Sequence, residues 1–125
     1  MDLTLVNWAA VTVGTVAAFG LGMLWFSPRL FGQAWARGSH DLQPPAVPPI
    51  AAMLVQFLAT FALALVVGLT ETTNALATAF TAIFAVALFV AGMDLFSQKS
   101  GKATMIDAGY VLACGAVMIF AQALL

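Results

Sequence analysis

The chain has 125 residues and a formal net charge of −1, from 4 basic and 5 acidic residues. Hydrophobic residues make up 63% and charged residues 7%, with a mean hydropathy of +1.05. A soluble domain carries about 25% charged residues, so this chain cannot coat a globule with polar surface, and no basic field for nucleic acid exists.

Four long apolar stretches fill most of the sequence, and the length reads as one domain. A helix needs about 20 apolar residues to cross a hydrocarbon core about 30 Å thick, and each stretch supplies them. Lipid offers no hydrogen bonds to a backbone, so runs this long satisfy their own amides as helices. A membrane barrel would need short alternating segments instead.

The first helix is expected from about Leu5 to Phe26, with no charge along it. Asn7-Trp8 at its start and Trp25 at its end suit the aromatic belts of the two interfaces. Met1-Asp2-Leu3 lacks the basic opening of a signal peptide, so this helix is expected to be retained. Ala10, Gly14, Ala18 and Gly22 form a small-xxx-small stripe, which lets helix backbones approach closely. The stripe serves either the packing of the chain's own helices or a contact between protomers.

Ser27 to Pro49 is the long connection. Ser27-Pro28 has the pattern of an N-cap and a first-turn proline. Leu30, Phe31, Ala34 and Trp35 fall at helical spacing, and Gly38 is a natural stop. A short helix over about 28–37 is expected on the membrane surface. Trp25, Phe26, Phe31 and Trp35 would anchor it in the interface or form part of a hydrophobic ligand groove. Arg29 and Arg37 would attract anionic headgroups. Gln43-Pro44-Pro45-Ala46-Val47-Pro48-Pro49 favours an extended polyproline-like arm.

Helix two is expected from about Ile50 to Thr70, opened by Pro49. The tight turn from Thr70 to Asn74 makes it the antiparallel neighbour of helix three, from about Ala75 to Phe96. Ser97 to Ala103 is a short polar loop, and helix four runs from about Met105 to Leu125. Arg29, Arg37, Lys99 and Lys102 all lie in the first and third connections. The positive-inside rule then puts loops 27–49 and 97–104 in the cytoplasm and both termini outside. Leu30-Phe31-Gly32-Gln33 and Leu95-Phe96-Ser97-Gln98 are similar, but a match this short does not make a repeat.

Asn7-Trp8, Leu24-Trp25-Phe26-Ser27-Pro28, Leu30-Phe31-Gly32-Gln33-Ala34-Trp35 and Asp107-Ala108-Gly109-Tyr110 together resemble the domain of unknown function 1761 family. The likeness spans the chain and is sharpest from Asn7 to Trp35. It implies a small multi-helix protein of the bacterial inner membrane, and it brings no biochemical activity with it.

Asp94 and Asp107 are the candidates for chemistry. An ionisable group inside a span is a functional hypothesis by default. Asp94 alternatively sits at headgroup depth and pairs with Lys99 or Lys102. Thr104-Met105-Ile106-Asp107 matches a capping box, which would spend the Asp107 carboxylate on the start of helix four. The functional alternative is that Asp94 and Asp107 converge on one cation or proton site. Gln56 and Gln122 are polar in apolar spans and either link helices or line a pore. Cys114 reads as a core residue. His40 is the one histidine and lies in a linker, so no span offers imidazole to a metal or haem.

The expected fold is all-α, with the four spans in an antiparallel bundle and a short interfacial helix between the first two. No nucleophile-base arrangement or phosphate loop is visible, so no enzyme and no cofactor are expected. The expected partners are membrane lipids and either copies of the chain in a homo-oligomer or a larger membrane complex. The leading functional reading is a structural or interaction component acting by helix packing and lipid contact. The alternative is an oligomeric transporter or channel for a proton, cation or small solute. A cavity shared by Asp94, Asp107 and Gln56 would favour the alternative.

Overall fold

A computed structural model describes residues 2–125; Met1, which opens the non-basic start noted above, lies outside the described residues. A 3-10 turn at Leu3–Leu5 precedes α1 (Trp8–Trp25), α2 (Gly32–Gly38), α3 (Ile50–Glu71), α4 (Leu76–Phe96) and α5 (Gly101–Leu124). No strand occurs among the described residues. All but α2 are long and apolar enough to cross a membrane. Their lengths of 18, 22, 21 and 24 residues correspond to about 27–36 Å at the usual helical rise.

Side-chain caps set the starts of α1 and α5. Asn7 accepts from the Ala10 amide at 3.0 Å, so α1 opens at Trp8. Ser100 accepts from the Ala103 amide at 3.0 Å, so α5 opens at Gly101 rather than Met105. The capping-box reading of Thr104 and Asp107 is therefore corrected. Thr104 lies inside the first turns and donates its hydroxyl back to the Ser100 carbonyl at 3.0 Å.

The short helix also starts later than Ser27-Pro28 implies. Ser27 turns its hydroxyl back onto the Leu24 carbonyl at 2.6 Å, so it is spent on the end of α1. The Phe31 amide reaches the Trp25 carbonyl and the Gly32 amide reaches Ser27, both across the intervening turn. A Cβ on Gly32 would collide with the Phe26 carbonyl and the Ser27 backbone, so this turn requires glycine.

Helix α5 is the most buried of the long helices and contacts each of the other four. Against it lies the small-residue stripe of α1. Gly14 faces Met118 and Ala121, where an added Cβ would just reach ordinary contact distance, and Ala18 is fully covered. The stripe is thus used within the chain. Ile83 of α4 packs over Gly115, and Val11 of α1 packs over Gly68 of α3. Phe19 and Phe57 meet edge to face at 5.5 Å.

One end of the molecule is held by contacts between the first and third connections. The Ser100 amide donates to the Gly38 carbonyl at 2.9 Å, and His40 Nε2 lies 2.7 Å from the Ser97 carbonyl. Gly68, near the end of α3, faces Val6 and Gln122.

The outside of the molecule is apolar. Leu88, Phe89 and Phe96 are 70%, 75% and 93% exposed. In water, apolar patches beyond a few hundred Å² are sites of association; in lipid they are solvated. Threonine hydroxyls obey the same rule. Thr15, Thr60, Thr70 and Thr81 donate to carbonyls of their own helices at 2.7–2.8 Å, leaving no donor to face hydrocarbon.

Gly20 and Gly22 test this packing on one helix. A Cβ at Gly22 would lie 2.6 Å from the Tyr110 hydroxyl, whereas nothing lies within 4 Å of one at Gly20. Gly22→Leu should cost about 1–3 kcal/mol of overpacking. Gly20→Leu should be neutral or stabilising by up to about 1 kcal/mol of helix propensity. Unfolding of both variants in mixed micelles measures the difference.

Candidate functional site

The site begins at the junction of α4 and α5. Asp94 lies in the last turn of α4. Beyond it Gln98 adopts a left-handed conformation, φ 61°, and the chain reverses. The Lys99 amide donates to the Asp94 carbonyl at 3.0 Å, which fixes the loop. Its side chain returns between two carboxylates. Nζ is 3.7 Å from Asp94 Oδ1 and 3.5 Å from Asp107 Oδ2. The same ammonium sits 5.1 Å from the centre of the Trp35 ring, within the range of a cation–π contact.

These separations exceed the 2.7–2.9 Å of a tight charge-assisted hydrogen bond, so one ammonium is shared by two acids. The group is largely sheltered, with the three side chains 22%, 12% and 13% exposed for Lys99, Asp94 and Asp107. The other oxygen of Asp94 is buried with no hydrogen-bond partner among the described residues. The space a metal would need between the carboxylates is filled by the lysine.

Aromatic side chains surround this cluster. Tyr110, one turn beyond Asp107, donates its hydroxyl to the Ala18 carbonyl at 2.9 Å. Trp25 Nε1 donates to the Ile106 carbonyl at 3.0 Å. Phe26 packs edge to face on both Tyr110, at 5.3 Å, and Trp35, at 5.6 Å. Trp25 also stacks on Phe31 at 4.8 Å. Trp35 Nε1 is buried without a partner among the described residues.

Beside these rings opens a cleft of about 520 Å³, walled by Phe26, Trp35, Met53, Gln56, Asp107 and Tyr110 among others. Ligand pockets commonly run about 300–1,000 Å³ with apolar walls and a few polar groups. A second cleft, about 370 Å³, shares Gln56, Tyr110 and Val111 with the first and continues between α3, α4 and α5.

The predicted site residues therefore separate into groups. Gln56 and Asp107 come together on one cleft. Asp94 stands behind it, does not line it, and pairs with Lys99 rather than Lys102. Gly14, Ala18 and Gly22 face α5, and Ala10 is buried. Trp25 packs on Phe31 and on α5, Trp35 packs on Phe26 and Lys99, and Arg29 and Arg37 are exposed. Tyr110 was legible only as part of a family-like string. A lone phenol in the middle of a span must find an acceptor, and that signal could have marked it as a joint between α5 and α1.

Residues 9–121 match the family described as Protein of unknown function (DUF1761). No curated protein and no solved structure matches the chain.

Lys99→Met removes the cation between two sheltered acids and should cost about 3–5 kcal/mol of stability. Adding Asp94→Asn to that variant should recover most of the loss, because the remaining carboxylate then has no like charge beside it. A double-mutant cycle on unfolding free energy measures the coupling.

Proposed function

The chain belongs to the DUF1761 family, and from that premise we propose that it is a small multi-pass membrane protein that binds and carries a small, mainly apolar solute in the cleft beside α3. The convergence of Gln56 and Asp107 on that cleft carries the reading. Two polar side chains on an otherwise apolar wall orient a ligand without holding it too tightly. The packing role has less support, because the small-residue stripe that would serve it is covered by α5.

The spans alternate in direction through a bacterial inner membrane, with both termini outside and the segments 27–49 and 97–104 on the cytoplasmic side. Arg29, Arg37, Lys99 and Lys102 support this by the positive-inside rule. The contacts of Gly38 with Ser100 and of His40 with Ser97 support a common side for those two connections. Helix α2 lies at the interface, with Arg29 and Arg37 exposed to headgroups. The apolar outer faces of α3 and α4 meet lipid or a second copy of the chain.

A neutral fluorescent probe that brightens in apolar sites, N-phenyl-1-naphthylamine, tests the cleft. Protein in nanodiscs should bind it saturably above empty nanodiscs. Ala52→Phe narrows the wall and should weaken that binding about tenfold, the effect of about 1.4 kcal/mol of crowding. Absence of a saturable component for this probe and for organic ions of similar size sinks the proposal. Orientation is tested on a Cys114→Ser background. A membrane-impermeant thiol reagent should label Thr73→Cys in intact spheroplasts and Gln43→Cys only after lysis; the reverse pattern would invert the topology.

A further inference from the structure

We infer that the cleft selects a lipophilic monocation, held by the Asp107 carboxylate and the faces of Phe26, Trp35 and Tyr110, an inference that rests on the cleft reading above. Charge is the first argument. Two carboxyl groups face one ammonium, at 3.7 and 3.5 Å, so the cluster holds one acidic group more than its own cation can balance. The carboxylate that reaches the cleft is Asp107. An ionised Asp107 repels an anion, and a neutral solute offers it no counter-charge in an apolar setting. A cation satisfies it.

The sharing of Lys99 makes exchange possible. When a ligand cation takes Asp107, the ammonium keeps Asp94, 3.7 Å away, and the Trp35 ring. In the occupied site each acid then has one cation. The other cations of the chain, Arg29, Arg37 and Lys102, are exposed and do not line the cleft.

The walls supply the second argument. A small hydrated ion such as calcium needs 6–8 oxygen ligands to replace its water. Gln56 and Asp107 offer far fewer, and the Tyr110 hydroxyl is already directed to Ala18. Aromatic faces suit organic cations, quaternary ones above all. The volume of about 520 Å³ is of the size that admits such a molecule.

Tetraphenylphosphonium and tetraphenylborate share a shape and differ in charge, which makes them the decisive pair of probes. Titrated into the protein in nanodiscs and corrected for empty nanodiscs, the phosphonium should bind at least about tenfold more tightly than the borate. Asp107→Asn should weaken phosphonium binding by about tenfold, and Asp107→Glu should retain it. Asp94→Asn should weaken it similarly although Asp94 does not line the cleft, because Lys99 then neutralises Asp107 alone. Near-ultraviolet circular dichroism confirms that each variant is folded, and Asp107→Glu keeps the comparison valid if Asp107→Asn is not. Equal binding of the two probes, or full phosphonium affinity in Asp107→Asn, overturns the inference. If the neutral naphthylamine probe binds and the phosphonium does not, the charge selection falls and the cleft reading stands. If neither binds, both fall.

Discussion

The close approach of α1 to α5 is the contact on which the other features depend. Gly14 has no side chain, so Met118 and Ala121 can lie against α1 there, and Ala10 and Ala18 on the same stripe are buried. Helices in lipid gain nothing from hiding apolar surface, because the tails are equally apolar. Packing and hydrogen bonding must hold them instead. The Tyr110 hydroxyl bond to the Ala18 carbonyl adds a polar tie inside that apolar seam. It also fixes the rotation of α5 and so aims Asp107, one turn earlier, toward the cleft.

The charged cluster is the costly part of the structure. An acid within a membrane helix is retained only with a partner or a water-filled space beside it. Asp94 and Asp107 have both devices between them. Lys99 supplies the partner, and the cleft supplies the space on the Asp107 side. The loop geometry makes this possible: a left-handed Gln98 turns the chain so that Lys99 folds back under Trp35. Stability would be served as well by an apolar trio. Three ionisable groups nevertheless stand at or behind an open cleft.

Long uncharged runs made the number and type of the long helices legible, because lipid leaves an apolar chain no alternative to internal hydrogen bonding. Their ends were less legible. Asn7 capped α1 within reach of the expected start, but Ser100 began α5 where the capping box at Thr104 had pointed further on. Both serine and threonine there had the right chemistry, and only the fold of the loop chose between them. Ser27 failed as a forward cap for a similar reason: its hydroxyl had a nearer acceptor behind it. For the site, the candidate acids and Gln56 stood out as polar residues in apolar runs. Lys99 was visible as a partner for Asp94, but not as a group shared with Asp107.

Composition alone determined that this chain lives with its apolar side chains outward, since 7% charged residues cannot clothe a water-soluble surface. Periodicity of small residues determined that α1 would make a close helix contact. Which helix it met, that the contact lay within the chain, and that Gln56 and Asp107 came to share one cleft were decided only in three dimensions. Those outcomes depend on side chains far apart in sequence, such as Tyr110 on Ala18 and Lys99 beneath Trp35, whose meeting no local pattern encodes.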